Sequence, residues 1–514
     1  MEPFSGLRWR KKGLKPIQTK RNGDIIIKEV MRGMEELVEE EPLSPSALLF
    51  NEPNFNVHVL AIMGGSCKIY PQVVKDKLLH TLLKHPRFSS VQVMDETSGE
   101  MKWVQTRVDL DQHVIVPNID PNMEEQESDK FVEDYVYNLT KSSLNKSKPL
   151  WELHLLNIKT SNTQGIGIFR IHHSLGDGTS LMSLLLACTH QVSKPDELPT
   201  IPLKKRKKIS TAKCSSARGL MRKYLAGIWL FLEMLWNTIV DIVMFGATAL
   251  FLKDTETPIK APSGSEFNPR RIVYRTVSLD DLKLVKNTLD MTINDVALGI
   301  TQAGLSRYLN RRYAEGKKDV GATEKNNLPK NIRLRSTLLI NLRPTAGIQA
   351  LADMMEKNTE AKWGNWIGFV LLPFTIGLRD NPLDYVRQAK ASIDRKKRSL
   401  EAIYTFSISE LILKLFGIKT ASALSQKIIT NTTMCFSNLV GPLEEIEFYG
   451  HPVDYIAPSS YGQPHGLVIN FQSYVNKMSM VLSVDESVIP NPHQLLDDLE
   501  DSLKLIKEAA LQIT

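Results

Sequence analysis

Runs of apolar and β-branched residues separated by polar turns dominate the first two hundred positions, interleaved with stretches of helical spacing. The runs predict strands over Val57–Met63, Met101–Val108, Val114–Val116, Glu152–Ile158 and Gly165–Ile171, the last two joined by the polar turn Lys159–Gln164. Helices are predicted over Val73–Lys84 and Glu124–Leu144, and the turn Pro42-Leu43-Ser44-Pro45-Ser46-Ala47 can cap a helix leading to Phe50. Between 190 and 222 the pattern breaks: Pro, Ser, Lys and Arg dominate, and Lys204 to Lys223 carries nine basic residues and no acid. The apolar segment Tyr224–Leu252 follows. A second αβ pattern then begins, with a strand over Ile272–Val277, a helix over Leu279–Thr288, a lysine-rich loop at Arg311–Lys330 and a strand over Thr337–Leu342. Two halves of similar mixture predict a pseudo-duplicated α/β (mixed α+β) fold. Its parts are a mobile basic tail (1–40), a first lobe (41–200), a connector with a basic linker and an apolar helix (201–262), and a second lobe (263–514).

At 514 residues the chain is long enough for two domains, and a hydrophobic share of 42% marks it as globular. Its net charge of +7 does not point to nucleic acid, because the excess sits in the tail (Arg8, Arg10, Lys11, Lys12, Lys15, Lys20, Arg21) and in the run Lys204–Lys208. Such blocks are solvated arms or anchors for an anionic surface, and no aromatic ladder accompanies them. The four cysteines, Cys67, Cys188, Cys214 and Cys435, lack metal-ligand spacing and fit a reducing compartment. No secretory signal is visible, since the basic start runs into the charged stretch Ile25–Glu41.

Tyr224–Leu252 has the length to span a bilayer. Glu233, Asn237 and Asp241, however, fall four apart on one helix face, and a carboxylate at the bilayer centre costs about 3 kcal/mol or more. The stripe points to a helix lying in the membrane interface or packed on the protein by its polar edge, with the basic run drawn to anionic headgroups. A single crossing would also separate the two halves. A spanning helix and a soluble hinge helix are the alternatives.

The sharpest feature is Ile171-His172-His173-Ser174-Leu175-Gly176-Asp177-Gly178-Thr179. A strand ends, a short turn carries the polar residues, and a helix starts near Thr179 with Leu181, Leu184, Leu185 and Cys188 on one face. A histidine at a strand end is aimed by a rigid element and can take a proton from a hydroxyl near neutral pH. Asp177 can brace the turn or pair with an arginine. Ser174 lacks the setting of a nucleophile motif, which favours direct transfer over a covalent intermediate. The plain alternative is that both histidines and the aspartate only satisfy a turn.

The complete His-His-x-x-x-Asp-Gly string resembles the motif of the coenzyme A-dependent acyltransferases of the chloramphenicol acetyltransferase superfamily. Further stretches resemble the plant-type wax ester synthase/diacylglycerol acyltransferase family: Pro42-Leu43-Ser44-Pro45, His85-Pro86-Arg87-Phe88, Pro149-Leu150-Trp151-Glu152, Thr292-Ile293-Asn294-Asp295-Val296, Asn341-Leu342-Arg343-Pro344, Gly364-Asn365-Trp366-Ile367-Gly368 and Ser437-Asn438-Leu439-Val440-Gly441-Pro442. The Asp-Phe-Gly-Trp-Gly string of plant acyltransferases acting on phenolics is absent.

The resemblance implies two chloramphenicol acetyltransferase-like lobes with a tunnel between them, an acyl-CoA donor, and a fatty alcohol or diacylglycerol acceptor. CoA serves as substrate carrier, with no metal or redox cofactor, and the site faces the cytosol at the endoplasmic reticulum or the plasma membrane. It implies His173 as general base and His172 as its neighbour in the site. Asp177 shapes the turn, with Arg343 as candidate ion-pair partner. Asn294 and Asp295 are implied to line the site, against a plain reading as a helix cap. Ser437 and Asn438 are implied oxyanion donors, against a plain reading as a turn. Asn365 is a weaker candidate, since Gly364 and Gly368 can simply permit close packing. An acyltransferase acting on a small or phenolic alcohol, and a non-catalytic lipid-binding protein of the same fold, are the competing functions.

Overall fold

The computed structural model describes residues 40–96, 99–120, 122–202, 217–315, 325–342, 347–357, 359 and 363–513. The basic tail, the run Lys204–Lys208 and Arg343 lie outside the described residues.

Three strands build the centre of the first half: β1 (His58–Gly65), β2 (Trp151–Leu156) and β3 (Gly165–His172). β3 is buried at every position, which explains its nearly continuous apolar sequence: both faces of this strand meet packed layers. Helix α1 (Glu125–Thr140) places Val132 and Val136 against Leu60, Ile62, Ile166 and Ile168 on one face. Helix α2 (Gly178–Ala187) packs Leu181, Met182 and Leu184 with Phe169 and Ile171 on the other. The helix expected over Val73–Lys84 is shorter, Pro71–His80, and gives way to a 3-10 turn at Leu82–Lys84. The strand expected to reach Val108 ends at Gln105.

The connector holds helix α3 (Ala217–Leu250). The second half contains β4 (Arg271–Ser278), helix α4 (Ile293–Glu315), β5 (Leu334–Asn341) and β6 (Ile367–Phe374). Helix α5 (Glu401–Thr430), β7 (Met434–Leu439), β8 (His451–Tyr461), β9 (Leu467–Tyr474), β10 (Lys477–Val484) and helix α6 (Pro492–Leu511) complete it. Six strands form one sheet in the order β6-β5-β7-β9-β10-β4, in which β7 runs parallel to both its neighbours. Its core lies under α4, α6 and the helix Leu383–Lys397, through residues such as Leu298, Leu305, Leu499 and Val386. Arg311–Glu315, read from the sequence as loop, continue α4.

β8 does not join that sheet. It pairs antiparallel with β1 from Tyr461↔His58 to Val453↔Gly65, with one irregularity in register, and the first sheet runs Val114–Ile115, β2, β3, β1, β8, Ile446–Phe448, Thr189–Gln191. Residues 446–461 therefore complete the first lobe, which corrects the assignment of all of 263–514 to the second. The cause is the open edge of β1, whose backbone groups need a partner that no strand of 41–200 supplies. The chain returns to the second sheet through Gly462, at φ +90°, where a Cβ would lie 2.1 Å from the Asn56 carbonyl oxygen.

The same pairing decides how α3 sits. By length and composition α3 could cross a membrane. It leaves the chain on the β1 side and returns on the β8 side, and these two strands are hydrogen-bonded neighbours, so a single crossing is incompatible with the fold. The polar stripe is instead clamped by the segment after Leu383–Lys397. Glu233 pairs with Arg398 at 2.7 Å, the Asn237 amide donates to the Arg398 carbonyl at 3.3 Å, and Asp241 meets Arg395 at 2.7 Å and Lys396 at 2.9 Å. The opposite face presents Tyr224, Trp229, Trp236, Ile239 and Val243 to solvent, with Trp229 70% exposed. Asp241→Ala is expected to destabilise the fold by roughly 3 kcal/mol, because it strands cations against a buried partner site. Arg398→Ala, at the exposed pair, should cost less than about 1 kcal/mol in the same denaturant titration.

Candidate active site

β3 ends at His172, and one 3-10 turn, His173–Leu175, separates it from α2. Both lobes grip this turn. The His173 N–H donates to the Val57 carbonyl at 2.9 Å. From the second lobe, the Asn365 amide donates to the carbonyls of His173 (2.8 Å) and Ser174 (3.3 Å), and the Trp363 indole N–H donates to the Leu175 carbonyl at 2.5 Å. Asp177 caps α2, its Oδ1 accepting the Ser180 N–H at 2.8 Å, with the Asn341 amide at 3.5 Å.

The two histidines face different surroundings, as consecutive residues at a strand end do. His172 is engaged on both ring nitrogens. Its Nδ1 accepts from the Ser174 N–H (3.3 Å) and hydroxyl (2.6 Å), which leaves the proton on Nε2 to reach Asn56 Oδ1 at 3.0 Å. Burial holds its pKa down at about 3. The Ser174 hydroxyl is fully buried and also accepts from the Gln92 amide at 2.7 Å, so it is not free to act as a nucleophile.

His173 differs. Its ring packs on Phe50 at 4.3 Å, and its Nδ1 is buried without a hydrogen bond to another residue. Burial lowers its pKa to about 4, and only its own carbonyl acts in the other direction. The imidazole is therefore neutral at physiological pH, as a base must be before it takes a proton.

His173 stands where two cavities join. One, of about 930 Å³, runs from Phe50 and Phe55 to Leu413 and Ile418 on α5. The other, of about 710 Å³, is more polar, with Thr179, Asn341, Ser437, Ser459 and Asn470 on its walls. They share His173, Leu339, Ile367, Cys435 and Ser460, residues drawn from both sheets. Among the described residues no three His, Cys, Asp or Glu side chains are grouped as a metal site requires.

Other residues singled out by the sequence fall on and off these walls. Ser437 lines the polar cavity, since Cys435, Ser437 and Leu439 share one face of β7. Asn438 points to the other face, where its amide meets Asn294 Oδ1 at 3.3 Å. Neither lines a cavity that holds His173. Asp295 accepts the Thr292 N–H at 2.9 Å while its own N–H donates to the Thr292 hydroxyl at 3.2 Å, a reciprocal cap on α4. Asn294, Asp295 and Asn438 are thereby corrected from site walls to parts of a helix start and its contact. His172 and Asp177, grouped with the base in the sequence reading, make no hydrogen bond to the His173 ring. Asn365 acts through the backbone of the turn, and Gly368 admits α5, since a Cβ there would meet the Ala402 carbonyl oxygen at 2.1 Å.

The family description "Wax ester synthase/diacylglycerol acyltransferase catalytic domain" matches residues 50–297, and the WS/DGAT C-terminal domain matches residues 363–507. Wax ester synthase/diacylglycerol acyltransferase 11 of Arabidopsis thaliana is 51% identical over 481 residues, 93% of this chain and 96% of its own. Number 6 of the same plant is 50% identical over 92% of this chain and 94% of its own. The chain belongs to the wax ester synthase/diacylglycerol acyltransferase family. It is an acyl-CoA-dependent O-acyltransferase. The fold is shared with the family's enzyme from Marinobacter aquaeolei VT8, at a TM-score of 0.56, 17% identity, and coverage of 91% of this chain and 99% of that one. It is shared too with the first condensation domain of the calcium-dependent antibiotic synthetase, at a TM-score of 0.54, 11% identity, and coverage of 92% and 96%.

Sequence reasoning missed several residues of this acyltransferase site. Phe50, Cys435 and Ser460 touch the junction at His173, yet they come from a turn and two strands remote in the chain and carry no motif. Trp363 and Asn365 hold the turn by reaching backbone carbonyls, a role that only the backbone's position could disclose. Asn365→Ala should lower kcat about tenfold to a hundredfold, the equivalent of losing a buried hydrogen bond worth about 1–3 kcal/mol, with KM little changed. Asn365→Asp, which cannot donate, should fare no better in steady-state assays.

Proposed function

We propose that this enzyme moves a long-chain acyl group from acyl-CoA to a fatty alcohol or diacylglycerol by direct attack, with His173 as the general base. The observation that carries this reading is the neutral, unengaged imidazole at the junction of two cavities. A donor and an acceptor can approach it from separate sides. His173 takes the proton from the acceptor hydroxyl as that oxygen bonds to the thioester carbonyl carbon. The negative charge passes to the carbonyl oxygen, for which the hydroxyl of Ser437 is a donor on the cavity wall. That charge beside the ring favours the imidazolium and offsets the effect of burial. The carbon–sulfur bond then breaks, and the imidazolium returns its proton to the CoA thiolate. CoA is consumed as a substrate, and the proton balance closes without a further cofactor.

A covalent acyl-enzyme finds no nucleophile. Ser174 is tied into the His172 network, and burial raises the Cys435 thiol to about 11, leaving it protonated at the junction. The acceptor class accords with the walls of the larger cavity, where Phe55, Leu413 and Ile418 offer an apolar path and no fixed cation.

His173→Ala should leave thermal stability intact and lower turnover by about 10² to 10⁴ with labelled acyl-CoA and a panel of alcohols and diacylglycerol. Near-full turnover of the folded variant would remove the mechanism. Because burial lowers the His173 pKa from 6.5 to about 4, the wild-type rate should not halve at pH 6.5 as it would for a solvated imidazole.

The exposed face of α3 supports membrane docking from the cytosolic side, at the endoplasmic reticulum or the plasma membrane. Trp229 and Trp236 lie on that face, and the basic run Lys204–Lys208 precedes it in sequence. Tags at both termini should be cleaved by protease outside sealed microsomes. Trp229→Glu/Trp236→Glu should shift the protein from anionic vesicles to the supernatant in flotation, and raised salt should weaken the wild-type association. Protection of the C-terminal tag alone would establish a crossing and exclude interfacial docking.

A further inference from the structure

A third cavity, of about 670 Å³, adjoins the polar chamber through Val59, Gly178, Leu439 and Pro458 and does not touch His173. It extends along α2 past Leu181 and Leu185 to a far end at Cys188 and Tyr449. Its walls carry no charged side chain. The Cys188 thiol is pushed up to about 12 by burial, and the Tyr449 hydroxyl is hydrogen-bonded to Thr81. Protein interiors hold few voids larger than a water molecule, and large apolar ones stay dry and bind apolar ligands. From Gly178 to Cys188 the helix rises about 15 Å, which suits a long alkyl chain rather than an acetyl group.

Three arms must meet at the reacting carbon of a thioester under attack: the acyl chain, the sulfur with its pantetheine, and the incoming oxygen with its own chain. The structure offers three cavities around one chamber. The acceptor hydroxyl must touch the base, so its chain belongs in a cavity that His173 lines, and the larger apolar one does so. The amide-rich pantetheine suits the chamber of Thr179, Asn341, Ser459 and Asn470. The remaining cavity is apolar, closed to His173 and one neck away from the carbonyl. The geometry points to the cavity along α2 as the binding site for the acyl chain of the donor, with Leu185, Cys188 and Tyr449 setting its length. This assignment rests on the function proposed above, and it adds which of the two chains each cavity measures.

Leu185 is half-buried and lines the far part of the cavity, so its side chain can be exchanged in either direction. Leu185→Trp should lower the ratio of kcat/KM for palmitoyl-CoA over octanoyl-CoA by about tenfold or more, and Leu185→Ala should shift the preference to longer acyl chains. The dependence on alcohol chain length, measured with one acyl-CoA, should stay as in wild type. A parallel loss for all acyl lengths, or a shift in the alcohol profile instead, would overturn the assignment. A measurement on the unaltered protein guards against misfolding. A non-hydrolysable palmitoyl-CoA thioether with a diazirine at the end of its chain should label peptides containing 78–82 or 181–188 on irradiation, and label in 401–430 would place the acyl chain in the other cavity. Failure of the proposed function has a separate signature, namely no ester from wild type with any acyl-CoA and alcohol.

Discussion

Hydrogen bonding between β8 and β1 is the constraint on which the rest of the structure depends. β8 lies late in the chain, yet it completes the sheet that aims the catalytic turn, and Gly462 then passes the chain directly into the second sheet. Two lobes tied in this way cannot drift apart without breaking a run of backbone hydrogen bonds, each costly to leave unmade in a buried strand. The cleft between them is therefore a fixed feature, and the turn His173–Leu175 is held from one side by Val57 and from the other by Trp363 and Asn365. Rigid support from two directions is what a general base needs, since its reach to a hydroxyl is set within a few tenths of an ångström.

Within that turn almost every polar group has a partner. His172 spends both nitrogens on Ser174 and Asn56, Ser174 is held by Gln92, and Asp177 caps α2. Nδ1 of the His173 ring is an exception, and buried polar atoms without a partner gather at functional sites because the cost of leaving them so is tolerated where chemistry requires it. The neighbouring histidine and aspartate thereby gain a clear division of labour. They shape and stiffen the turn, and the free ring faces the cavities.

Helix α3 shows how composition and topology pull in different directions. Its apolar content is that of a membrane span, and its outer face is left uncovered by the fold. Its inner edge, however, is fastened by ion pairs to Arg395, Lys396 and Arg398, and the strands on either side of it in the chain share one sheet. A helix so anchored presents a hydrophobic surface beside the catalytic lobes rather than dividing them. Its C-terminal part, Phe245 and Ala249, packs with Leu371 and Ile428 of β6 and α5, the helix that lines the larger cavity.

The sequence by itself determined the local elements and the base. β3 was legible because a doubly buried strand must be apolar along its length, and α2 because its leucines recur at helical spacing. His173 was legible because strand, turn and helix around a fixed string of residues leave few other readings, and the polar stripe of α3 because its period is that of a helix. Only the tertiary structure decided which side chains meet. Asn438 and Asn294 read as site residues, but the period-two alternation of β7 turns Asn438 away from the cavity that Ser437 lines. Phe50, Cys435, Ser460 and Asn365 reach the site from four remote segments, and a residue's sequence carries no record of a partner hundreds of positions away. The exchange of β8 between lobes was equally hidden. A strand's sequence states that it needs neighbours on its edges, and the packing of the whole chain selects which neighbours they are.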